Sequence, residues 1–229
     1  MDNIVRSFYQ NFIEDNRYQY ILDGLKNTLI ITFFAVILGT IIGFLIGAIR
    51  STYEKTGKLK FLNAICHIYL AVIRGTPMVL QLLITYFVIF ASVNVSKIVV
   101  SIIAFGINSG AYVAEIIRSG IMSIDNGQFE AGRSLGFSYN QTMILFIFPQ
   151  AIKNILPALG NEFIVLLKET SVSGYIAMQD LTKGADIIRS QTYSAFMPLI
   201  MAALIYLILV LVLDQFVKYF ERKMRNSDH

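Results

Sequence analysis

The sequence has few charged residues, since Asp, Glu, Lys and Arg together make up 15% of its 229 positions. Hydrophobic residues make up 55%, and the mean hydropathy is +0.62. Soluble domains usually carry about 25% charged residues, so the composition argues against a soluble protein. The net charge of +4 does not indicate nucleic-acid binding, because the basic residues cluster at the ends of apolar segments.

Residues that hold metals and disulfides are also scarce. The single cysteine, Cys66, cannot form a disulfide within the chain, and neither it nor the neighbouring His67 lies in a zinc or haem spacing. The sequence lacks the G-x-x-x-x-G-K-[ST] phosphate loop as well. We therefore predict that the chain is not an enzyme, hydrolyses no ATP and carries no metal or cofactor of its own.

The sequence contains several long runs of apolar, uncharged residues. A helix that crosses a membrane needs about 20 apolar residues, and the bilayer interior requires backbone groups to be paired within the segment. We predict an all-α integral membrane protein. Its five transmembrane helices are expected at about residues 25–49, 76–92, 97–117, 151–171 and 194–217.

The whole chain, residues 1–229, is predicted to form one transmembrane domain. The first residues are polar and of mixed charge, which is not typical of a cleavable signal peptide. The predicted parts are an interfacial segment over residues 1–24, a five-helix core over 25–217 with a loop at about 122–150, and a basic tail over 218–229.

Three shorter segments have predictions of their own. Residues 4–13 place apolar side chains on one face and favour a short interfacial helix. Residues 61–73 are also apolar, but Gly75 and Pro77 disfavour a continuous helix into the second span, so we predict a separate interfacial helix and a break. The polar link over residues 172–193 is expected to form a short helix or a re-entrant piece.

The positions of Lys and Arg predict the orientation. The loop after the first span contains four basic residues and the tail contains four more, whereas the link before the third span has only Lys97. Positive loops favour the cytoplasm, so the N-terminus is expected outside and the C-terminus inside. An odd number of spans agrees, and the loop at about 122–150 is then cytoplasmic.

Polar residues follow one side of the fourth predicted span. Residues seven apart nearly superpose on a helix, and polar groups at membrane depth face a bundle interior or a water-filled cavity. Two helices with such rows predict a shared polar pathway. The fourth span carries Asn154, Asn161 and Lys168 with Glu162 and Glu169 beside them, and the third carries Ser101, Asn108, Tyr112 and Glu115.

The loop between these spans contains Glu130-Ala131-Gly132, then Gly136, and then Phe148-Pro149. This spacing resembles the EAA loop of ABC importer permeases, E-A-A-x3-G-x9-I-x-L-P. Gly132 replaces the second Ala, which is a mild change because both residues are small, and Phe146 and Phe148 replace Ile and Leu. The resemblance implies that Glu130, Ala131, Gly132 and Gly136 couple the chain to a separate ATPase.

Further blocks resemble those of polar amino-acid permeases. They are Ile73-Arg74-Gly75-Thr76-Pro77, Asn108-Ser109-Gly110-Ala111-Tyr112 and Gly160-Asn161-Glu162-Phe163. The chain is similar to the membrane subunit of amino-acid ABC importers of the histidine, glutamine and arginine group, which have a type I importer permease fold. The resemblance implies a bacterial cytoplasmic membrane protein with these partners: a cytoplasmic ATPase holding ATP and Mg, an extracellular or periplasmic amino-acid-binding protein, and a second permease copy or paralogue.

The predicted substrate pathway combines the polar rows with the break before the second span. A carboxylate at Glu162 suits an ammonium or cationic side chain, and the Asn161 amide suits a carboxylate. Helix–helix packing is the alternative for both, and packing or anchoring is the alternative at the break. For Glu115 and Arg118 we favour a structural salt bridge over a gate. The predicted pathway residues are Thr76, Gln81, Asn108, Tyr112, Asn161 and Glu162.

The predicted function is that of a permease subunit of an ATP-driven importer for a polar amino acid, with Glu162 favouring a basic one. An ATP-independent channel or an ion-coupled carrier is the alternative, although such carriers commonly have more spans and internal repeats. A membrane enzyme would need a catalytic cluster, and the sequence has none.

Overall fold

The computed structural model describes residues 2–225, and the secondary structure within them is helical. Short π-helical turns follow the first, fourth and seventh helices. The helices are α1 Asp2–Phe8, α2 Tyr18–Thr56, α3 Lys60–Arg74, α4 Met78–Ile84, α5 Lys97–Met122, α6 Asn126–Ser134, α7 Tyr139–Thr142, α8 Phe148–Glu169, α9 Leu181–Thr192 and α10 Phe196–Arg225.

Four helical segments are long and apolar enough to cross a membrane, and a bent pair brings the number to five. The pair is α3 with Met78–Ile89, whose axes meet at 105°. Pro77 has extended backbone at this corner, which confirms the predicted break. The four continuous segments are Tyr18–Thr56, Lys97–Met122, Tyr139–Ile176 and Phe196–Met224.

Several helix ends differ from the prediction, because hydropathy marks the apolar part of a helix and not its polar ends. The fourth spanning segment begins at Tyr139 and not at residue 151, since Ser138 and Gln141 form a capping box that starts it. Residues 218–225 of the predicted tail belong to α10, while residues 226–229 lie outside the described residues. α2 likewise extends beyond residues 25–49 in both directions.

The pairing of α2 with α5 forms the centre of the bundle. Gly39, Gly43 and Gly47 recur every four residues on α2 and face α5. A Cβ atom on Gly43 would lie 2.5 Å from Cβ of Val113, so only glycine permits this approach. Small residues at such spacing bring helix backbones together in membranes, where hydrophobic burial alone does not hold helices together.

The two ends of the bundle are distinguished by α6 and α9, and we call them the α6 end and the α9 end. The beginning of α2 lies at the α9 end, where Asn27 Nδ2 donates a hydrogen bond of 2.8 Å to the Gln179 carbonyl. α10 begins at the α9 end, where Met197 and Ala202 pack with Leu181, and it runs past α8, with Val217 against Gly160, towards the α6 end. The start of α2 and the end of α10 are therefore on opposite sides, as an odd number of crossings requires.

The segments over residues 4–13 and 172–193 both contain helices. The region of residues 4–13 contains α1 and a π-helical turn. Ile4 and Val5 are exposed there, but Phe12 is buried in a cluster with Leu181 of α9. The link over residues 172–193 contains α9, so the short-helix alternative is the one observed.

Candidate transport pathway and coupling loop

The break between α3 and α4 is held by one glutamine side chain. Gln81 Nε2 donates hydrogen bonds to the Ile73 carbonyl at 2.7 Å and to Thr76 Oγ1 at 2.8 Å. The end of α3 leaves carbonyl groups without helical partners, and the Gln81 amide satisfies one of them. Thr76 and Gln81, which were predicted as pathway residues, are thus in direct contact.

α5 extends this polar group. Asn108 Nδ2 donates a hydrogen bond of 2.9 Å to Gln81 Oε1, and Asn108 is almost fully buried. Tyr112 lies one turn further along α5, and its ring lies 5.5 Å from the guanidinium carbon of Arg74. Arg74, next to the break, therefore packs against Tyr112, one of the predicted pathway residues.

Glu162 of α8 meets α5 through a residue that the sequence analysis did not select. Ser109 Oγ donates a hydrogen bond of 2.8 Å to Glu162 Oε1, and Ser109 is fully buried. A helical serine usually bonds to a carbonyl of its own helix, so the sequence alone gives little reason to choose it. Its position next to Asn108 in a polar block was the one available signal.

The structure therefore connects α4, α5 and α8 by polar contacts near the middle of the bundle. Asn161 is separate, because it lies on the exposed face of α8 next to Glu162. Asn154 and Lys168 are exposed in the same row, seven residues before and after it. The Asn154 amide donates a hydrogen bond of 2.9 Å to Ser123 Oγ.

A ring of four charges joins α2 to α5 towards the α6 end. The predicted pair of Glu115 and Arg118 is present. Arg118 also contacts Glu54 at 3.0 Å, and Arg50 contacts Glu115 at 3.1 Å and Glu54 at 3.7 Å. Each charge has an opposite charge on the other helix, so the ring fixes the two helices to each other.

The predicted coupling residues lie on α6 and in the turn after it. Asp125 begins the helix by accepting a hydrogen bond of 2.6 Å from the Gly127 amide. Glu130 and Ala131 are exposed, whereas Phe129 and Gly132 are buried against the bundle. One side of α6 is therefore anchored, and the side with Glu130 is open to a partner.

The two glycines of the loop have different roles. A Cβ atom on Gly132 would lie 2.6 Å from Thr142 Cγ2, so an alanine does not fit this packing and the replacement is not a neutral change. Gly136 has φ of +84°, and the Phe137 amide donates to the Gly132 carbonyl at 3.1 Å. This is a helix end in which a left-handed residue closes the last turn, and glycine suits that conformation.

The phenylalanines of the motif contact other aromatic rings. The Phe146 ring lies 5.2 Å from the Phe137 ring, and the Phe148 ring lies 5.9 Å from the Phe44 ring of α2. Lys55 adds a polar link from α2 to α6, since its Nζ donates to Asn126 Oδ1 at 2.5 Å and lies 4.4 Å from the Phe129 ring centre. α6 and the turn after it are thus attached to α2 and to the π-helical turn that precedes α8.

Residues 39–226 match the family described as the binding-protein-dependent transport system inner membrane component. A putative glutamine transport system permease protein of Rickettsia typhi is 40% identical over 207 residues, which are 90% of this chain and 93% of that protein. The arginine transport system permease protein of Bacillus subtilis is 40% identical over 211 residues, covering 91% of this chain and 94% of that protein.

Solved structures agree with these sequence matches. A crystal structure of an amino acid ABC transporter with histidines has 43% identity and a TM-score of 0.83, and covers 93% of this chain and 98% of that chain. An inward-facing methionine ABC transporter has the same fold, with 18% identity, a TM-score of 0.73 and coverage of 90% and 97%. The chain therefore belongs to the amino-acid ABC permeases, within the family of binding-protein-dependent inner-membrane components, and is a multi-pass transport subunit rather than an ATPase.

Proposed function

We propose that this permease imports a polar, cationic amino acid by alternating access, with Glu162 in the substrate pathway and α6 as the ATPase-coupling helix. The observation that carries the proposal is the contact of Ser109 with Glu162, which places a carboxylate among polar groups of α4 and α5. A carboxylate at membrane depth is costly and is retained where it serves transport.

The exposed row on α8 supports a second permease copy or a paralogue. Asn161 and Lys168 are exposed in the single chain, on a segment apolar enough to cross a membrane. Amide and ammonium groups do not face hydrocarbon, so this side of α8 must meet a partner subunit or a cavity between the two. Glu162, next to this row, then lies beside the shared cavity.

The charge of Glu162 favours a cationic substrate such as arginine, lysine or histidine. One relative is named for arginine and another for glutamine, so relatives of similar identity differ in their named substrates. A carboxylate attracts a second positive charge more strongly than a neutral amide side chain. An amino-acid-binding protein outside the cell delivers the substrate, and its own pocket contributes to selectivity.

The attachment of α6 to the bundle supports its role in coupling the ATPase to the spanning helices. Glu130 and Ala131 are open to a partner, while Lys55 and Gly132 tie the helix to α2 and α7. A cytoplasmic ATPase that closes on ATP and Mg moves α6 as a rigid body, and the spanning helices tilt with it. The basic residues near the α6 end support the cytoplasmic placement of this end.

Reconstitution tests the proposal. The permease, its ATPase and its binding protein are placed in vesicles, and uptake of labelled arginine, lysine, histidine and glutamine is measured with and without ATP. We expect uptake only with ATP and binding protein, and higher for a cationic amino acid. Uptake without ATP would indicate the channel or ion-coupled carrier, and equal uptake of glutamine would remove the charge preference.

A further inference from the structure

A cavity of about 520 Å³ lies between the end of α2, the turn after it, and the loop from α6 to α7. Its volume is within the range of about 300–1,000 Å³ that small-ligand sites have. None of the pathway residues lines it, and it is at the α6 end. The lining residues are Lys55, Thr56, Lys58, Phe129, Arg133, Phe137, Ser138 and Tyr139.

The charges in this cavity all have one sign. Lys55, Lys58 and Arg133 line it, and no carboxylate does. Within the described part of the chain, neither Lys58 nor Arg133 forms an ion pair. The polar contact of Lys55 is with the neutral side-chain oxygen of Asn126. Three positive charges without compensation in one concave site favour an anionic ligand.

The rest of the cavity is aromatic. The rings of Phe129 and Tyr139 are stacked, with centres 6.4 Å apart and planes 15° apart. Next to the cavity in sequence, Leu59 is 44% exposed and Phe61 is 77% exposed. In a membrane protein such exposed apolar side chains suit contact with lipid, and Leu59 directly follows Lys58 of the cavity in the sequence.

Arg133 of α6 lines the cavity and lies three residues from Glu130 of the predicted ATPase surface. Arg133 follows Phe129 by four residues, so both lie on the same side of the helix. That side is anchored to the bundle through buried Phe129. Exposed Glu130 and Ala131 point to other sides of α6. The cavity therefore lies on the anchored side of α6, beside the predicted ATPase surface.

We propose that this cavity binds the phosphate headgroup of an anionic phospholipid in the cytoplasmic leaflet. Lys58 and Arg133 contact the phosphate, and the aromatic wall contacts the glycerol and the first part of the acyl chains. Basic pockets at the cytoplasmic boundary of membrane helices are suited to such headgroups. The proposal rests on the cytoplasmic placement of the α6 end, which belongs to the proposed function.

Native mass spectrometry of the full-length chain in a nonionic detergent tests this site. The chain is titrated with phosphatidylglycerol, with phosphatidylcholine and with inorganic phosphate. The test variant is Lys58→Gln with Arg133→Gln, and both side chains are at least partly exposed, so folding is expected to persist. The matched control is Lys60→Gln, which removes a nearby exposed charge that does not line the cavity.

We expect phosphatidylglycerol to bind more tightly than phosphatidylcholine, and the double variant to weaken that binding about 25-fold, from about fivefold for each of the two cations. Lys60→Gln should change it little. Equal binding of both lipids, or an unchanged double variant, would overturn the proposal. Competition by inorganic phosphate at the lipid's own concentration would identify a phosphate site instead. Because no uptake is measured, a negative result here is distinct from failure of the transport function.

Discussion

Ser109 Oγ donates a hydrogen bond of 2.8 Å to Glu162 Oε1, and this contact joins the two helices that carry the polar rows. Hydrogen bonds to charged groups contribute about 1.5–3 kcal/mol. Ser109→Ala should therefore lower uptake by about tenfold at a substrate concentration below saturation. The measurement is uptake by reconstituted transporter, with assembly checked by gel filtration. Normal uptake by this variant would show that the contact does not position Glu162.

The charge of Glu162 itself is tested by Glu162→Gln, which keeps the size of the side chain. We expect uptake of a cationic amino acid to fall at least tenfold while assembly is retained, because the anionic partner of the substrate is lost. Glu169→Gln is the matched control, since it removes a carboxylate seven residues away on the same helix. An equal loss in both variants would point to general damage to α8.

Gly132 has no room for a methyl group. Gly132→Ala brings a Cβ atom to 2.6 Å from Thr142 Cγ2, and Thr142 is buried, so it cannot turn towards solvent. We expect a loss of about 1–3 kcal/mol in the free energy of unfolding, as for other overpacked sites. Thermal unfolding measures this loss.

The control for this prediction removes the obstacle. Thr142→Ala deletes both Cγ2 and Oγ1, the two side-chain atoms nearest to the added methyl group. The double variant should therefore be more stable than the sum of the two single changes predicts. If the two losses of stability were simply additive, the loop would shift enough in Gly132→Ala to avoid the clash with Thr142.

Asp180 lies outside the spanning segments and begins α9. It is fully buried, and its Oδ1 accepts a hydrogen bond of 2.6 Å from the Lys183 amide. Burial raises the pKa of Asp180 from 3.8 to about 7. Because the folded protein then holds this proton more tightly than the unfolded chain, stability should decrease as the pH rises from about 4 to about 7.

Asp180→Asn keeps an oxygen for the helix start and cannot ionise. We expect this variant to be more stable than the parent at pH 8, by on the order of 2 kcal/mol, and similar at pH 4. Thermal unfolding between pH 4 and pH 8 tests this. Asp186→Asn is the control, since contact with Lys183 and Arg189 lowers the pKa of Asp186. Over pH 5–8, the stability of Asp186→Asn should decrease with pH as steeply as that of the parent. If the stability of Asp180→Asn also decreased as steeply, the prediction would be contradicted.

Glu130 is the exposed carboxylate of α6. Glu130→Arg reverses its charge where a partner is proposed to dock, so stimulation of the ATPase by loaded binding protein should fall at least tenfold without loss of the folded permease. Asp23→Arg makes the same reversal at the α9 end; measured without binding protein, it should leave the ATPase bound to the permease, whereas Glu130→Arg should weaken that binding. If binding protein still stimulated the ATPase normally in Glu130→Arg, the docking contact would lie elsewhere.

Much of the architecture could be predicted from the sequence, because long uncharged runs and the helix break at Gly75 and Pro77 depend only on residues that are neighbours in the sequence. The family model and relatives confirmed the permease assignment that motif spacing predicted. The contact of Ser109 with Glu162 and the tight fit at Gly132 were not accessible. Both depend on residues brought together from distant parts of the chain, and no periodic pattern reports them.

α2 is one unbroken helix of 39 residues, about 58 Å long at 1.5 Å per residue. One end contacts α6, the proposed ATPase-coupling helix, through Lys55, and near the other end Thr28 Oγ1 accepts a hydrogen bond of 3.1 Å from the Leu181 amide at the start of α9. We therefore infer that a movement of α6 at one membrane face would be transmitted along α2 as a tilt of α9 at the other face. Under the proposed mechanism, the surface at the α9 end would then change with the nucleotide state of the ATPase, so that the binding protein would be released in step with hydrolysis.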